Sequence, residues 1–481
     1  MRLPMIGPAI GAVPYLLAPL VSAGLPATAR SAPTFSHVII VLQENRTTDN
    51  IFGSNPNFEL GVDIATSGVN SQGQTIPLTA VALNNCYDMS HAHKAFELSL
   101  QGSDLDPVSA PKGCTVPPSP QFKYIDNSSG TVQPYFDIAR SYGFANRMFQ
   151  TNEGPSFPAH QFIFGGTSAP SLDSSLFASE NMSGAANAAA GCLAKSSTTV
   201  KLIDGFGSET NNAPIRPCLD HPTLTDLFES AVPAISWRYY AASATSIWTA
   251  PNAIEHICVP NSKHTKCTGK DWTDGSVVPD NPGQVLTDIS NCALPAMSWV
   301  TPTGAESDHP GSNTGLGPGW VASIVNAVGT QPACASSEKY WNDTAIIITW
   351  DDWGGWFDHV KPFATDAQPA DPPMWGDGYT YGFRVPMLVV SAYTPAGYVD
   401  NATRDFGSIL YFVEQNFGVG FINGTDTSPF GRYADYAAQP RGDLSEYFSL
   451  TTARAFVSIP SKFSPAYFVN APRSLAAPDW D

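Results

Sequence analysis

Five short apolar runs punctuate this chain, each apolar at successive rather than alternate positions. They are HVIIVL (37–42), PAISWRYY (233–240), PAMSWV (295–300), TAIIITW (344–350) and VPMLVVS (385–391). Runs of this length, rich in β-branched and aromatic residues, read as strands buried on both faces. Two further stretches, WVASIVNAV (320–328) and FGSILYFVEQNF (406–417), carry a helical period. Strands alternating with helices predict an α/β fold with a mainly parallel central sheet flanked by helices. Segments 168–200 and 241–290 break this pattern with Ser, Ala, Asn and Pro, and read as long surface insertions. No internal repeat and no linker divides the chain, so residues 32–481 read as a single domain.

The first 31 residues read differently. Arg2 precedes an apolar stretch at 5–22 that three prolines interrupt, and small residues follow near Ala23 and Ala27. That is the pattern of a cleaved signal peptide, too short and Pro-broken for a membrane anchor. It predicts a secreted or periplasmic protein without stable membrane insertion. The eight cysteines (Cys86, Cys114, Cys192, Cys218, Cys258, Cys267, Cys292 and Cys334) fit that compartment. They are even in number, lack paired CxxC zinc spacing, and predict disulfides whose pairing the sequence leaves open.

Composition narrows the partners. Of 481 residues, 43% are apolar, ample for a large core, and 42 acids outnumber 24 bases. A net charge of −18 argues against nucleic acid, since nothing offsets phosphate repulsion. It leaves open a phosphate-containing substrate, provided a metal or local cations supply the positive field.

The strand ends carry the chemistry. The run 37–42 breaks at once into Gln43, Glu44, Asn45 and Arg46, and the run 344–350 into Asp351 and Asp352. In open α/β sheets ligands sit beyond the carboxyl ends of strands. Three carboxylates in one crevice repel one another unless a hard cation sits between them, and oxygen donors suit Mg²⁺, Ca²⁺ or Mn²⁺. A third stretch, GPSFPAH (154–160), places Ser156 as the cap of an apolar helix, with Pro158 in its first turn. A hydroxyl at that position faces free N–H groups that bind anions, and a metal beside it would make it an attacking alkoxide. His160 shares the helix face with Ser156 and reads equally as structural or catalytic. Further histidines stand in polar loops: His359 in GGWFDHV, His309 in ESDHPGS, and His91 and His93 in YDMSHAH. Such histidines suit holding phosphate oxygens and protonating a leaving alcohol.

These motifs resemble those of the bacterial phospholipase C and acid phosphatase family, a phosphoesterase branch of the alkaline-phosphatase-like superfamily. ENRTTDNIFG resembles its ENRSFDxxFG, with Thr47-Thr48 in place of Ser-Phe. GPSFPAH, SDHPG and DDWGGWFDHV follow in the family's order, and GFRVPMLVVSAYTPAGYVDN (382–401) resembles its last core strand. The usual Asn of Pro-Asn-His is Ala159 here. The resemblance implies an alkaline-phosphatase-like fold and one divalent metal ion (Ca, Mg, Mn or Zn) held by Glu44, Asn45, Ser156, Asp351 and Asp352. It implies Ser156 as nucleophile, with His309 and His359 lining the phosphate pocket. His91 joins them, because Asp88-x-x-His91 matches the family's setting and His93 does not. The implied activity is phospholipase C-like cleavage of a small-molecule or phospholipid phosphate ester. A broad-specificity acid phosphatase is the alternative, and an inactive exported binding protein the outside one. Trp350, Trp353, Trp356, Phe357 and Trp375 could stack on a choline-type cation or fill the core.

Overall fold

The apolar runs do form one sheet. The computed structural model describes residues 33–102, 107–183, 189–209, 212–311, 314–332, 334, 339–363, 379–423 and 433–470. The expected signal peptide and Trp375 lie outside these residues. Eight strands make the sheet: β1 (His37–Gln43), β2 (Gly143–Ala145), β3 (Trp237–Tyr240), β4 (Val277–Val278), β5 (Met297–Val300), β6 (Thr344–Trp350), β7 (Met387–Val390) and β8 (Tyr398–Asp400). Their spatial order is β4-β3-β5-β1-β6-β7-β2-β8.

Five of the pairings are parallel and two antiparallel, so the sheet is mainly parallel, as expected. The antiparallel strand is β7, which pairs with β6 and β2. Its carboxyl end therefore points away from the edge where β1 and β6 finish. Both central strands are buried along almost their whole length, which explains why their sequences are continuously apolar.

Four helices bear on the site: α1 (Thr48–Phe52), α2 (Ser156–Gly165), α3 (Gly317–Thr330) and α4 (Phe406–Phe417). Helix α2 is buried at every position, so its sequence shows no polar face. It stops at Gly166, whose φ of 73° is a left-handed cap suited to glycine. Helix α4 opens on a reciprocal cap between Asp405 and Ser408 and closes on Gly418 at φ 67°.

The insertions differ from expectation. Segments 168–200 and 241–290 are not purely surface excursions, for Cys192, Ala194, Trp248, Ala250, Ala253, Ile254 and Val285 are all buried. Trp248 joins Phe157 of α2 in a small core with Ala178, Ala190, Val200, Ile247 and Ala253. Polar loop composition concealed these anchors because single apolar residues, not runs, make the contacts.

Cysteines pair as Cys86–Cys114, Cys192–Cys218, Cys258–Cys267 and Cys292–Cys334. The second and third flank the Trp248 segment, and their cysteines pack together with Leu193. Replacing Cys192 and Cys218 by serine frees a loop with a sequence separation of 26. Chain entropy puts the loss at roughly 3 kcal/mol. Urea unfolding of the double variant should show it as a lower transition midpoint.

Candidate active site

The site starts from strand register. Strands β1 and β6 are parallel neighbours, with Gln43 opposite Trp350. One residue further along, Asp351 N donates to Gln43 O at 3.0 Å, so Glu44 and Asp351 leave the ladder side by side. Alternation then sorts the side chains. Gln43 and Trp350 point to one face, where Gln43 Nε2 donates to Glu306 O at 3.2 Å and Trp350 Nε1 to Asp308 Oδ2 at 3.0 Å. Glu44 and Asp351 point to the other, toward α2, where His160 Nε2 lies 3.3 Å from Glu44 Oε1 and 3.7 Å from Asp351 Oδ2.

Asn45 turns the chain at that edge. Its φ of 60° is left-handed, a conformation Asn tolerates better than most residues. The turn lets Asn45 N donate to Asp351 Oδ1 at 3.0 Å, and Asp352 N donates to the same oxygen at 2.7 Å. Gly354, at φ 59°, sits where a Cβ would come within 2.2 Å of Asn45 O, so only glycine lets the two loops nest. Arg46 points away from the carboxylates. Its guanidinium donates to Asp308 O and Leu83 O, both at 2.8 Å, and lies over the Trp356 ring at 4.8 Å. Burial lowers its pKa to about 10, so it remains a cation that pins the histidine loop at 308–309 to the end of β1.

Ser156 meets this edge from α2. Its hydroxyl donates to Asp352 Oδ2 at 3.0 Å. It is the first helical residue, and Pro155 takes the cap position that the sequence suggested for the serine. Asn181 Oδ1 accepts the next helix N–H, that of Phe157, at 2.9 Å. His91 closes the far side: Nδ1 donates to Met89 O at 2.9 Å, which leaves Nε2 to accept from Asn45 Nδ2 at 2.9 Å. His91 Nε2 is also 3.9 Å from Asp352 Oδ2. The His309 ring lies 6.4 Å from that of His91, and its Nδ1 donates to Pro310 O at 2.7 Å. Glu44, Asn45, His91, Ser156, His160, His309, Asp351 and Asp352 are all fully buried.

The structure thus brings together every residue singled out from the motifs except His359. That histidine stands in a second cluster. Its Nδ1 is 2.8 Å from Asp49 Oδ2 and its Nε2 3.0 Å from Asp63 Oδ1, so both ring nitrogens are engaged by carboxylates. Gly354 and Gly355 do turn the chain, but the loop carries His359 to α1 rather than to Ser156. The pocket-lining and proton-donor roles expected of His359 are corrected on this ground. Trp353 stacks on Phe383 and Trp356 packs against Tyr87, so these two rings belong to a local apolar cluster.

Two groups have the composition of a metal site: Glu44, His160 and Asp351, and Asp49, Asp358 and His359. The second already holds a cation, because Arg384 reaches Asp49 and Asp358 at 3.0 Å each. The first fits a divalent ion. Two buried oxygens at this edge, Asp351 Oδ2 from the group and Asn45 Oδ1 beside it, accept no hydrogen bond among the described residues. Asn45 offers its amide nitrogen to His91, which turns Oδ1 away as a donor to a cation. His160 was the residue whose role the sequence left open, and its spacing from Ser156 was the available signal.

The family model for the phosphoesterase family matches residues 35–420. The chain belongs to the phosphoesterase family. A non-hemolytic phospholipase C of Burkholderia pseudomallei is 30% identical over 181 residues, 34% of this chain and 24% of that protein. Phospholipase C A of Mycobacterium tuberculosis is 32% identical over 163 residues, 31% of this chain and 30% of that protein. The matched part thus spans about a quarter to a third of the length of these relatives. A protein of the alkaline phosphatase superfamily from Vibrio parahaemolyticus aligns with 84% of this chain and 71% of its own, at 10% identity and a TM-score of 0.31.

Two predictions rest on these clusters. The first concerns the cation. Binding to the folded state alone stabilises it by mass action. Divalent metal added to chelator-treated protein should raise the melting temperature, and Asp351→Asn with Asp352→Asn should remove that increment. Equal metal-induced shifts in both proteins would place the ion elsewhere.

The second concerns His359. Burial lowers its pKa, but the hydrogen bond and charge of Asp49 outweigh this and hold it above 6.5. A histidine with a raised folded pKa contributes stability that is complete below its unfolded value of 6.5 and is lost as pH rises through the raised value. His359→Gln should therefore destabilise by roughly 1–3 kcal/mol in mild acid and by progressively less toward alkaline pH. Its activity losses on an alkyl phosphate ester and a nitrophenyl ester should match. A selective loss on the alkyl ester would restore His359 to proton donation.

Proposed function

We propose that this protein is an exported, metal-dependent phosphoric-ester hydrolase that uses Ser156 as nucleophile. The observation carrying this reading is the Ser156 hydroxyl 3.0 Å from Asp352, at the sheet edge that also presents Glu44, Asn45 and Asp351. The four disulfides support an oxidising compartment. No helix among the described residues is long and apolar enough to cross a membrane.

Glu44, Asn45, Asp351 and Asp352 would hold the divalent ion, with His160 at its edge. When bound, that ion supplies Lewis-acid charge to a phosphoryl oxygen and favours the ionised serine. Ser156 passes its proton toward Asp352 and its Oγ attacks phosphorus. The bond from phosphorus to the leaving oxygen breaks as the serine ester forms. His309 gives the departing alkoxide its proton and then draws a proton from water, whose oxygen attacks phosphorus; the Oγ–phosphorus bond breaks and Ser156 takes back its proton from Asp352. Asn45 keeps His91 in one tautomer, because its amide donates to Nε2. That contact holds the Asn45 amide at the edge where charge grows on the equatorial oxygens.

The substrate class is phospholipase C-like, a phosphodiester cut on its alcohol side, in keeping with the relatives that are phospholipases C. An acid phosphatase would use the same residues on a monoester. Purified, metal-loaded protein assayed on a bis-nitrophenyl phosphodiester, a phosphatidylcholine and a phosphomonoester separates the two.

Ser156→Ala tests the nucleophile. Removal of a covalent nucleophile costs several orders of magnitude in kcat, while the fold should persist, since only one hydrogen bond to Asp352 is lost. Retention of more than roughly a tenth of the activity would remove Ser156 from that role, and absence of any hydrolysis in the wild type would leave the binding-protein reading.

A further inference from the structure

The segment 241–253 looked like polar surface in the sequence, yet it delivers a buried indole to the catalytic group. The Trp248 ring centroid lies 6.1 Å from that of His309. Trp248 also packs with Phe157, the residue after Ser156. Its position is tightly set. Tyr239 Oη donates to Trp248 O at 2.7 Å, and the same hydroxyl lies 3.5 Å from His160 Nδ1. Thr249 Oγ1 donates to Ser243 O at 2.7 Å, and Asn252 Nδ2 to Ser246 O at 2.7 Å. Disulfides Cys192–Cys218 and Cys258–Cys267 brace the same lobe.

Within this fixed loop the Trp248 indole N–H meets no hydrogen-bond acceptor among the described residues, although the residue is 1% exposed. Buried tryptophans usually find an acceptor, and an unsatisfied buried donor is destabilising. Trp272, Trp320, Trp353 and Trp356 also lack one, but Trp272 packs on an apolar cluster and the other three meet the rings of Phe468, Phe383 and Tyr87, not that of His309. An orphan donor held rigidly beside His309 has the character of a binding group that waits for its acceptor.

We propose that Trp248 contacts the substrate, its indole N–H donating a hydrogen bond to an oxygen of the bound phosphoryl group. The inference rests on the hydrolase reading above. A neutral donor suits this role. Indole N–H has no acceptor function and no charge, so it recognises a phosphoryl oxygen without competing with the cation or with protonated His309. It also explains why this lobe is stapled by two disulfides, since a donor must be held to within a fraction of an ångström to act on a transition state.

The test replaces Trp248 by β-(3-benzothienyl)alanine, which keeps the bicyclic shape and deletes the N–H, and in parallel makes Trp248→Phe. Binding of inorganic phosphate to the metal-loaded protein, kcat/KM on a nitrophenyl phosphodiester, and the melting temperature without phosphate are measured. The isostere should bind phosphate more weakly and lose about 10- to 100-fold in kcat/KM. Its melting temperature without phosphate should be equal or higher, because an unsatisfied donor has been removed. A structural tryptophan would show the opposite pattern, a lower melting temperature with phosphate affinity intact, and that result overturns the proposal. If Trp248→Phe fails to fold, the isostere decides alone. Wild-type protein that binds no phosphate and hydrolyses no ester overturns the hydrolase reading and this inference together. Wild-type binding matched by the isostere overturns this inference only.

Discussion

The parallel pairing of Gln43 with Trp350 is the constraint on which the rest of the molecule depends. Because side chains alternate across a sheet, that single register decides which residues face which way past the strand ends. Glu44 and Asp351 emerge together toward α2, while Gln43 and Trp350 hold the loop that carries His309. A slip of one residue would turn Glu44 into the opposite layer and separate it from Asp351. Continuously apolar strands specify register weakly by polarity alone. Here the specification comes from the ends: Asn45 N and Asp352 N converge on Asp351 Oδ1, and Arg46 locks onto Asp308 O.

Two buried carboxylate clusters lie along this edge, and their different counter-ions separate structure from chemistry. Asp49 and Asp358 are held by Arg384, with His359 on the outer side. Burial raises the Asp358 pKa to about 6 even with Arg384 beside it. Breaking one partner of such a set leaves an uncompensated buried charge, which suits a clasp between α1 and the motif loop. Around Ser156, histidines rather than an arginine stand within ion-pair distance of Glu44, Asp351 and Asp352 among the described residues. A fixed guanidinium there would fill the place of a cation. Its diversion to the other cluster keeps oxygen donors available.

Much of this was legible because the relevant signals were local. An apolar run followed at once by acid and amide, or by two acids, marks a strand that ends in chemistry. Two such runs proved to be neighbours. The helix that carries Ser156 was likewise visible, although Pro155 rather than the serine caps it. His359 misled for a physical reason. Gly354 and Gly355 permit a turn without fixing its direction, and nothing local shows that Asp49 and Asp63 wait for both ring nitrogens. The antiparallel course of β7 was equally hidden, since strand direction is set by the connections and not by the apolar pattern. Burial of the 241–253 segment could not be seen because its anchors are isolated residues in polar sequence.

The contrast between sheet edge and insertion has a consequence for specificity. Residues at the ends of β1 and β6 are fixed by the register of the central sheet, so any change there disturbs the core as well as the chemistry. Trp248 and Asn181 reach the same site from loops whose order comes from disulfides and side-chain caps. Those loops alter without disturbing the register. On the proposed reading, the cation donors and the serine set what bond is broken, while the inserted lobe, packed on Phe157 and His309, supplies the donor pattern that the ester would meet. On that reading, substrate preference falls to the insertion, because diester and monoester hydrolysis would draw on the same strand-end residues.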